Sequence, residues 1–123
     1  MRGIAVGLLA VFVGGAIGSA CRFAAAEAFD AAGYSPWLHL MVVNTAGAFA
    51  LGWYVERTRN NDTSLWHVLV AVGLLGSFTT FSGLTVQFVE DMRADDTSFG
   101  VTALAISLAI GVTAAALGRV AAK

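Results

Sequence analysis

Charge is scarce in this 123-residue chain: Asp, Glu, Lys and Arg make up only 12% of it, against ~25% in an ordinary soluble domain. The few charges nearly cancel, with seven basic and eight acidic side chains, so nothing favours a nucleic acid or another polyanion as partner. The single cysteine, Cys21, excludes an intrachain disulfide. Pro36 is the only proline, and no His, Cys, Asp or Glu cluster has metal-ligand spacing. Long hydrophobic runs are what the chain has instead. Hydrophobic residues make up 58% and the mean hydropathy is +0.77, the composition of a membrane protein.

Four apolar runs, at about Gly3–Ala26, Trp37–Val55, Leu65–Val89 and Phe99–Val120, each reach the roughly 17–25 residues that cross a bilayer as helix. Short connections hold most of the charge. Residues 1–123 therefore read as one all-α integral membrane unit of four transmembrane helices, without internal repeats. The first run passes Cys21 without a break and exceeds the ~7–15 residues of a secretory core segment. It reads as a retained span, with Cys21 a small packed residue.

The third run is the least suited to lipid at its centre. Gly73 to Gln87 reads GLLGSFTTFSGLTVQ, placing Ser77, Thr79, Thr80 and Ser82 among glycines at mid-membrane depth. Broken backbone there is tolerated only against protein or a water-filled cavity, so a break near the middle of this helix marks an ion site or pore wall. In the first run, Gly3, Gly7, Gly14 and Gly18 fall on one helical face, where small residues let two backbones approach closely. Arg22 continues that face, either snorkelling to the membrane edge or buried on an ion pathway. The second run opens at Tyr34-Ser35-Pro36-Trp37, with His39 a structural residue near its start. Its one amide, Asn44, is either interhelical glue or an amide donor to an anion.

Basic residues are unevenly divided. Four spans put Arg2, Arg57, Arg59, Arg119 and Lys123 on one side, and Arg93, with Arg22 if it reaches that surface, on the other. The positive-inside rule then places both termini in the cytoplasm, for a multi-pass protein of the cytoplasmic membrane.

Three motifs, in order, resemble the fluoride channel family known as Fluc or CrcB: Gly14-Gly15-Ala16-Ile17-Gly18-Ser19-Ala20-Cys21-Arg22-Phe23, then Val43-Asn44-Thr45-Ala46-Gly47-Ala48-Phe49 followed by Gly52, then Gly73-Leu74-Leu75-Gly76-Ser77-Phe78-Thr79-Thr80-Phe81-Ser82. The resemblance covers essentially the whole chain. It implies a four-helix subunit of an antiparallel dimer that passes fluoride passively out of the cell. By that resemblance Asn44 is the pore asparagine and Phe81 a pore phenylalanine whose ring edge faces the anion, with Ser82 and Ser107 as further pore hydroxyls. Arg22 takes a structural or electrostatic role near the vestibule. The backbone carbonyls of Gly76 and Thr79 would hold a structural sodium ion at the dimer interface.

The chain departs from the family pattern at Gly83, Leu84 and Gln87, which stand where a threonine, a second phenylalanine and an acid are usual. No tyrosine stands near Ala103. Homodimers of opposed subunits need little Lys/Arg bias, so the bias here favours a heterodimer with an oppositely oriented homologue over a homodimer. A non-conducting partner subunit is one alternative. A small proton-coupled multidrug exporter is another, and it needs an acid within the membrane. Glu27, Asp30, Glu56, Asp62, Glu90, Asp91, Asp95 and Asp96 all fall near or beyond span ends. An intramembrane enzyme would need a His or acid to activate a hydroxyl at that depth, and none is there.

Overall fold

The computed structural model describes residues 2–59 and 64–123. Asn61 and Asp62 of the second connection, and the side chain of Arg2, lie outside the described residues. Every regular element among those described is helical: α1 (Arg2–Ala31), α2 (Pro36–Arg57), α3 (residues 65–78), α4 (Phe81–Arg93) and α5 (Thr97–Ala121). α3 and α4 are two halves of one apolar stretch, Leu65–Arg93, so four stretches are long and apolar enough to cross a membrane.

Each helix outruns its apolar segment, because nothing at the lipid boundary stops helical winding. α1 continues past Ala26 until Gly33, whose φ of 74° suits a residue without a Cβ. There the Tyr34 N–H reaches the Phe29 carbonyl and the Gly33 N–H the Asp30 carbonyl, the paired bonds of a glycine-terminated helix. α2 then starts on Ser35, whose hydroxyl accepts the Leu38 N–H at 3.3 Å, with Pro36 in the first turn, where its missing N–H costs nothing.

Two helix pairs make the subunit, and glycine brings each pair together. α1 lies against α3: a Cβ on Gly14 would strike the Leu69 carbonyl, and one on Gly18 the Leu74 carbonyl. From the other side, a Cβ on Gly73 would come within 3.0 Å of the Val11 carbonyl. α2 lies against α5, where Gly52 sits on the Ala115 carbonyl and Gly118 on the Phe49 carbonyl. The four-glycine face of α1 is thus only half used within the subunit. Gly14 and Gly18 are buried, but a Cβ on Gly3 or Gly7 would meet nothing within 4 Å, because α3 reaches only the later turns. Cys21, expected to be packed, instead faces outward from the subunit, beyond Gly18, the last α1 glycine that α3 covers.

Most of α3, Val68–Leu75, is wound as π-helix, a rare form that usually appears as a single turn and is frequent at functional sites. Beyond the break, α4 returns to a core of Trp37, Leu40, Leu84 and Ala103. The Trp37 indole N–H donates to Asp91 at 2.7 Å, and the Gln87 amide donates to the other Asp91 oxygen at 3.3 Å. The Trp37 bond fixes the start of α2 to the end of α4. At the opposite end Glu56 accepts from Arg59 at 3.3 Å and from Arg119 at 3.4 Å, tying α2 to α5. The outward faces carry bare apolar side chains such as Phe12, Phe23 and Val112, as lipid requires.

Candidate functional site

The break falls at two residues, Thr79 and Thr80, both extended (ψ of 154° and 112°). Asn44 of α2 holds it open. The Thr80 N–H, which in unbroken helix would return to the Gly76 carbonyl, donates instead to Asn44 Oδ1 at 2.6 Å. The Asn44 Nδ2 donates to the Thr80 carbonyl at 3.0 Å. The side-chain amide thus supplies the acceptor that the Thr80 N–H loses at the break, as buried backbone groups require, and adds a donor to the Thr80 carbonyl. Thr80 then caps the next helix: its hydroxyl accepts the Gly83 N–H at 2.9 Å, as an N-cap threonine does. That N–H would otherwise have served the Thr79 carbonyl. The break therefore frees the Gly76 and Thr79 carbonyls of their usual helical donors.

Beside the break lies a cleft of about 290 Å³, lined by Asn44, Thr79, Thr80, Phe81, Leu84 and Ser107 among others. Three of the four residues expected to line a pore, Asn44, Phe81 and Ser107, are brought together here. Ser82, the fourth, does not line the cleft; it is exposed, with its hydroxyl 3.1 Å from that of Thr80. Phe81 is 62% exposed, an unusual position for a large ring beside a polar break. Ser107 is buried, but its O–H donates to the Ala103 carbonyl at 2.7 Å, so only its oxygen lone pairs remain for another group. Of the two roles open to Asn44, the glue is what the geometry displays. One of its two N–H donors is taken by Thr80 and the other is left over.

Arg22 is not at the cleft. It faces a separate cavity on the α1 side of the break with Ser19, His39, Thr80 and Gly83. The residue that sequence reasoning underrated is Thr80, which lines both cavities and bonds to Asn44 and Gly83 at the break. Its signal was available: a threonine immediately ahead of an amphipathic segment is a candidate helix N-cap.

The family described as CrcB-like protein, Camphor Resistance (CrcB), matches residues 9–119. The chain belongs to the CrcB family. Among CrcB-family relatives, a "Fluoride-specific ion channel FluC" from Ruegeria pomeroyi is 38% identical over 119 residues, covering 97% of this chain and 92% of the relative. Another of the same description, from Gluconobacter oxydans, is 29% identical over 117 residues, covering 91% of this chain and 81% of its own. A "Fluoride-specific ion channel FluC 2" from Bacillus cereus is 32% identical over 111 residues, with 89% and 92% covered.

Leu84, Gln87 and Gly83 have distinct surroundings. Leu84 is 3% exposed, reaching the hydrophobic core and the floor of the cleft. Gln87 is occupied with Asp91. Gly83 packs closely, since a Cβ there would lie 2.8 Å from Leu40 Cδ2 and 2.9 Å from Thr80 Cγ2.

Proposed function

We propose that this chain is a subunit of a fluoride-selective channel that lets fluoride leave the cell passively across the cytoplasmic membrane. The observation that carries the reading is the cleft in which Asn44, Phe81 and Ser107 meet at a helix break, in a family whose relatives are described as fluoride-specific channels. Conduction requires contacts favourable enough to admit the ion and weak enough to release it. The positive edge of an aromatic ring and one spare amide N–H meet that requirement.

The cleft is open along one side in the single subunit, and an exposed Phe81 there calls for a covering partner. In this reading the partner is an oppositely oriented homologue in a heterodimer, with both termini of this chain in the cytoplasm; a homodimer is the simpler assembly. A structural sodium ion fits the break. Two carbonyls stripped of their helical donors, Gly76 and Thr79, are hard oxygen ligands of the kind that broken membrane helices offer to sodium. Gly76 is exposed on the subunit surface, where a second subunit can add its own pair. The ion would supply a fixed positive charge near the pathway.

The test is fluoride efflux from liposomes loaded with potassium fluoride, for the chain alone and with any oppositely oriented homologue from the same source. Efflux that excludes chloride and ignores a pH gradient is the expected result. Phe81→Ile keeps assembly, because Phe81 is largely exposed, and lowers flux about tenfold, equivalent to ~1.4 kcal/mol in the barrier. Flux through Phe81→Ile equal to the parent's would overturn the pore assignment. The second reading, a subunit that only completes its partner's pore, draws on the internal commitment of Ser107 and Asn44. It requires that Phe81→Ile in this chain leave flux through the mixed assembly unchanged.

A further inference from the structure

We propose that Asp91 is a positioning residue for the pore: through the Trp37 indole it sets the roll of α4 about its own axis, and so the direction of Phe81. α4 begins at Phe81 and has one buried residue, Leu84, with Phe88 packed partly against the same core. A helix with so narrow a buried stripe relies on polar contacts to fix its roll. Its near end hangs from α2 at one point, since Asn44 bonds the backbone of Thr80, the residue just before the helix. Held only there, α4 could still swing and turn. Its far end is held by the same neighbour, because Asp91 Oδ2 accepts the Trp37 indole N–H at 2.7 Å. Asp91 lies about 15 Å beyond Phe81 along the helix axis. The two attachments to α2 therefore stand at opposite ends of α4, and together they fix its roll.

The surroundings keep the donor in place and the acceptor within reach. Trp37 is 5% exposed, and its ring meets Phe99 of α5 edge to face, with centroids 6.5 Å apart. The indole has little room to turn, so α4 must bring its carboxylate to it. Gly100, next to Phe99, leaves space for that carboxylate: a Cβ there would lie 3.1 Å from both Asp91 Cβ and Asp91 Oδ2. The second Asp91 oxygen takes the Gln87 amide at 3.3 Å, from one turn back on α4 itself. This gives Gln87 a purpose where the family pattern has an acid. Two acids four residues apart on one helix repel, and no amide would remain to steady Asp91. Leu84, three residues after Phe81, shares a core cluster with Trp37 and lines the cleft. A change of roll therefore moves Leu84 and Phe81 together. The effect on flux rests on the channel reading; the control of the Phe81 ring does not.

The test reads ring position and efflux separately. 4-Fluorophenylalanine is placed at position 81 alone, and its ¹⁹F resonance is recorded in detergent for the assembly in which the protein purifies. Asp91→Leu and Trp37→Phe each remove the bond, and each shifts or splits that resonance. Both lower fluoride efflux about threefold, a smaller loss than removing the ring, because a misplaced group still contributes in part. Asp91→Asn keeps an oxygen for the indole, and Gln87 turns its own oxygen toward the new NH₂, so resonance and efflux stay parental. In a Phe81→Ile background Asp91→Leu costs no further efflux, since the ring through which Asp91 acts is gone. An unmoved resonance in Asp91→Leu, an equal loss in Asp91→Asn, or a full additional loss in the Phe81→Ile background overturns the assignment. Should Asp91→Leu fail to assemble, an unmoved resonance in Trp37→Phe overturns it instead. A parent that passes no fluoride, with the resonance moved in both variants, supports the control of Phe81 and counts against the channel reading alone.

Discussion

Replacing Asn44 by aspartate lowers fluoride efflux about a hundredfold, a barrier increase of ~2.7 kcal/mol, and also weakens the fold. Two effects combine. The Asn44 Nδ2 that donates to the Thr80 carbonyl at 3.0 Å becomes an oxygen, leaving two acceptors face to face, at a cost of about 1–3 kcal/mol. If the carboxylate stays ionised, it also places a negative charge on the wall of the cleft. Measuring efflux alongside thermal unfolding of the purified assembly separates the two. Asn44→Ala removes both bonds without adding charge, so it shares the stability loss and loses less flux. Parental efflux in Asn44→Asp would remove Asn44 from the pathway and leave it as a clamp only.

Gly18→Ala separates α1 from α3 and lowers the yield of folded protein sharply, whereas Gly3→Ala and Gly7→Ala leave the subunit's own stability unchanged. The added methyl at position 18 meets the Leu74 carbonyl, with the Phe78 amide nitrogen 3.0 Å away. Backbone cannot rotate aside as a flexible side chain can, and overpacking of this kind costs typically 1–3 kcal/mol. At positions 3 and 7 the same methyl meets nothing. Chemical unfolding of the three variants in mild detergent reads the contrast. Equal destabilisation by all three would mean that the whole glycine face is packed inside one subunit.

The comparison of these glycines shows where sequence and structure part. Four spans were legible because lipid demands long apolar runs, and the break was legible because four hydroxyl side chains stand among glycines within the seven residues from Gly76 to Ser82, with Gly83 next. Its location, Thr79–Thr80, falls inside the stretch singled out. Helical spacing puts Gly3 and Gly7 on the face of Gly14 and Gly18 but cannot say how far along that face a neighbour reaches. The π winding of Val68–Leu75 was illegible for a related reason: every residue there is apolar or glycine, so no polar position marks the phase of the turn. Asn44 could be read as glue or as anion donor because its partner lies 36 residues away in sequence.

The clamp on Thr80 has a consequence for how the protein meets heavy water. An amide outside any helix ordinarily exchanges its hydrogen quickly, but that of Thr80 is buried and bonded to Asn44 at 2.6 Å. It should exchange as slowly as helical amides around it, and only when α2 and the break part company. Its exchange rate, measured residue by residue, would therefore time the opening of the break itself, as a clock set by one asparagine.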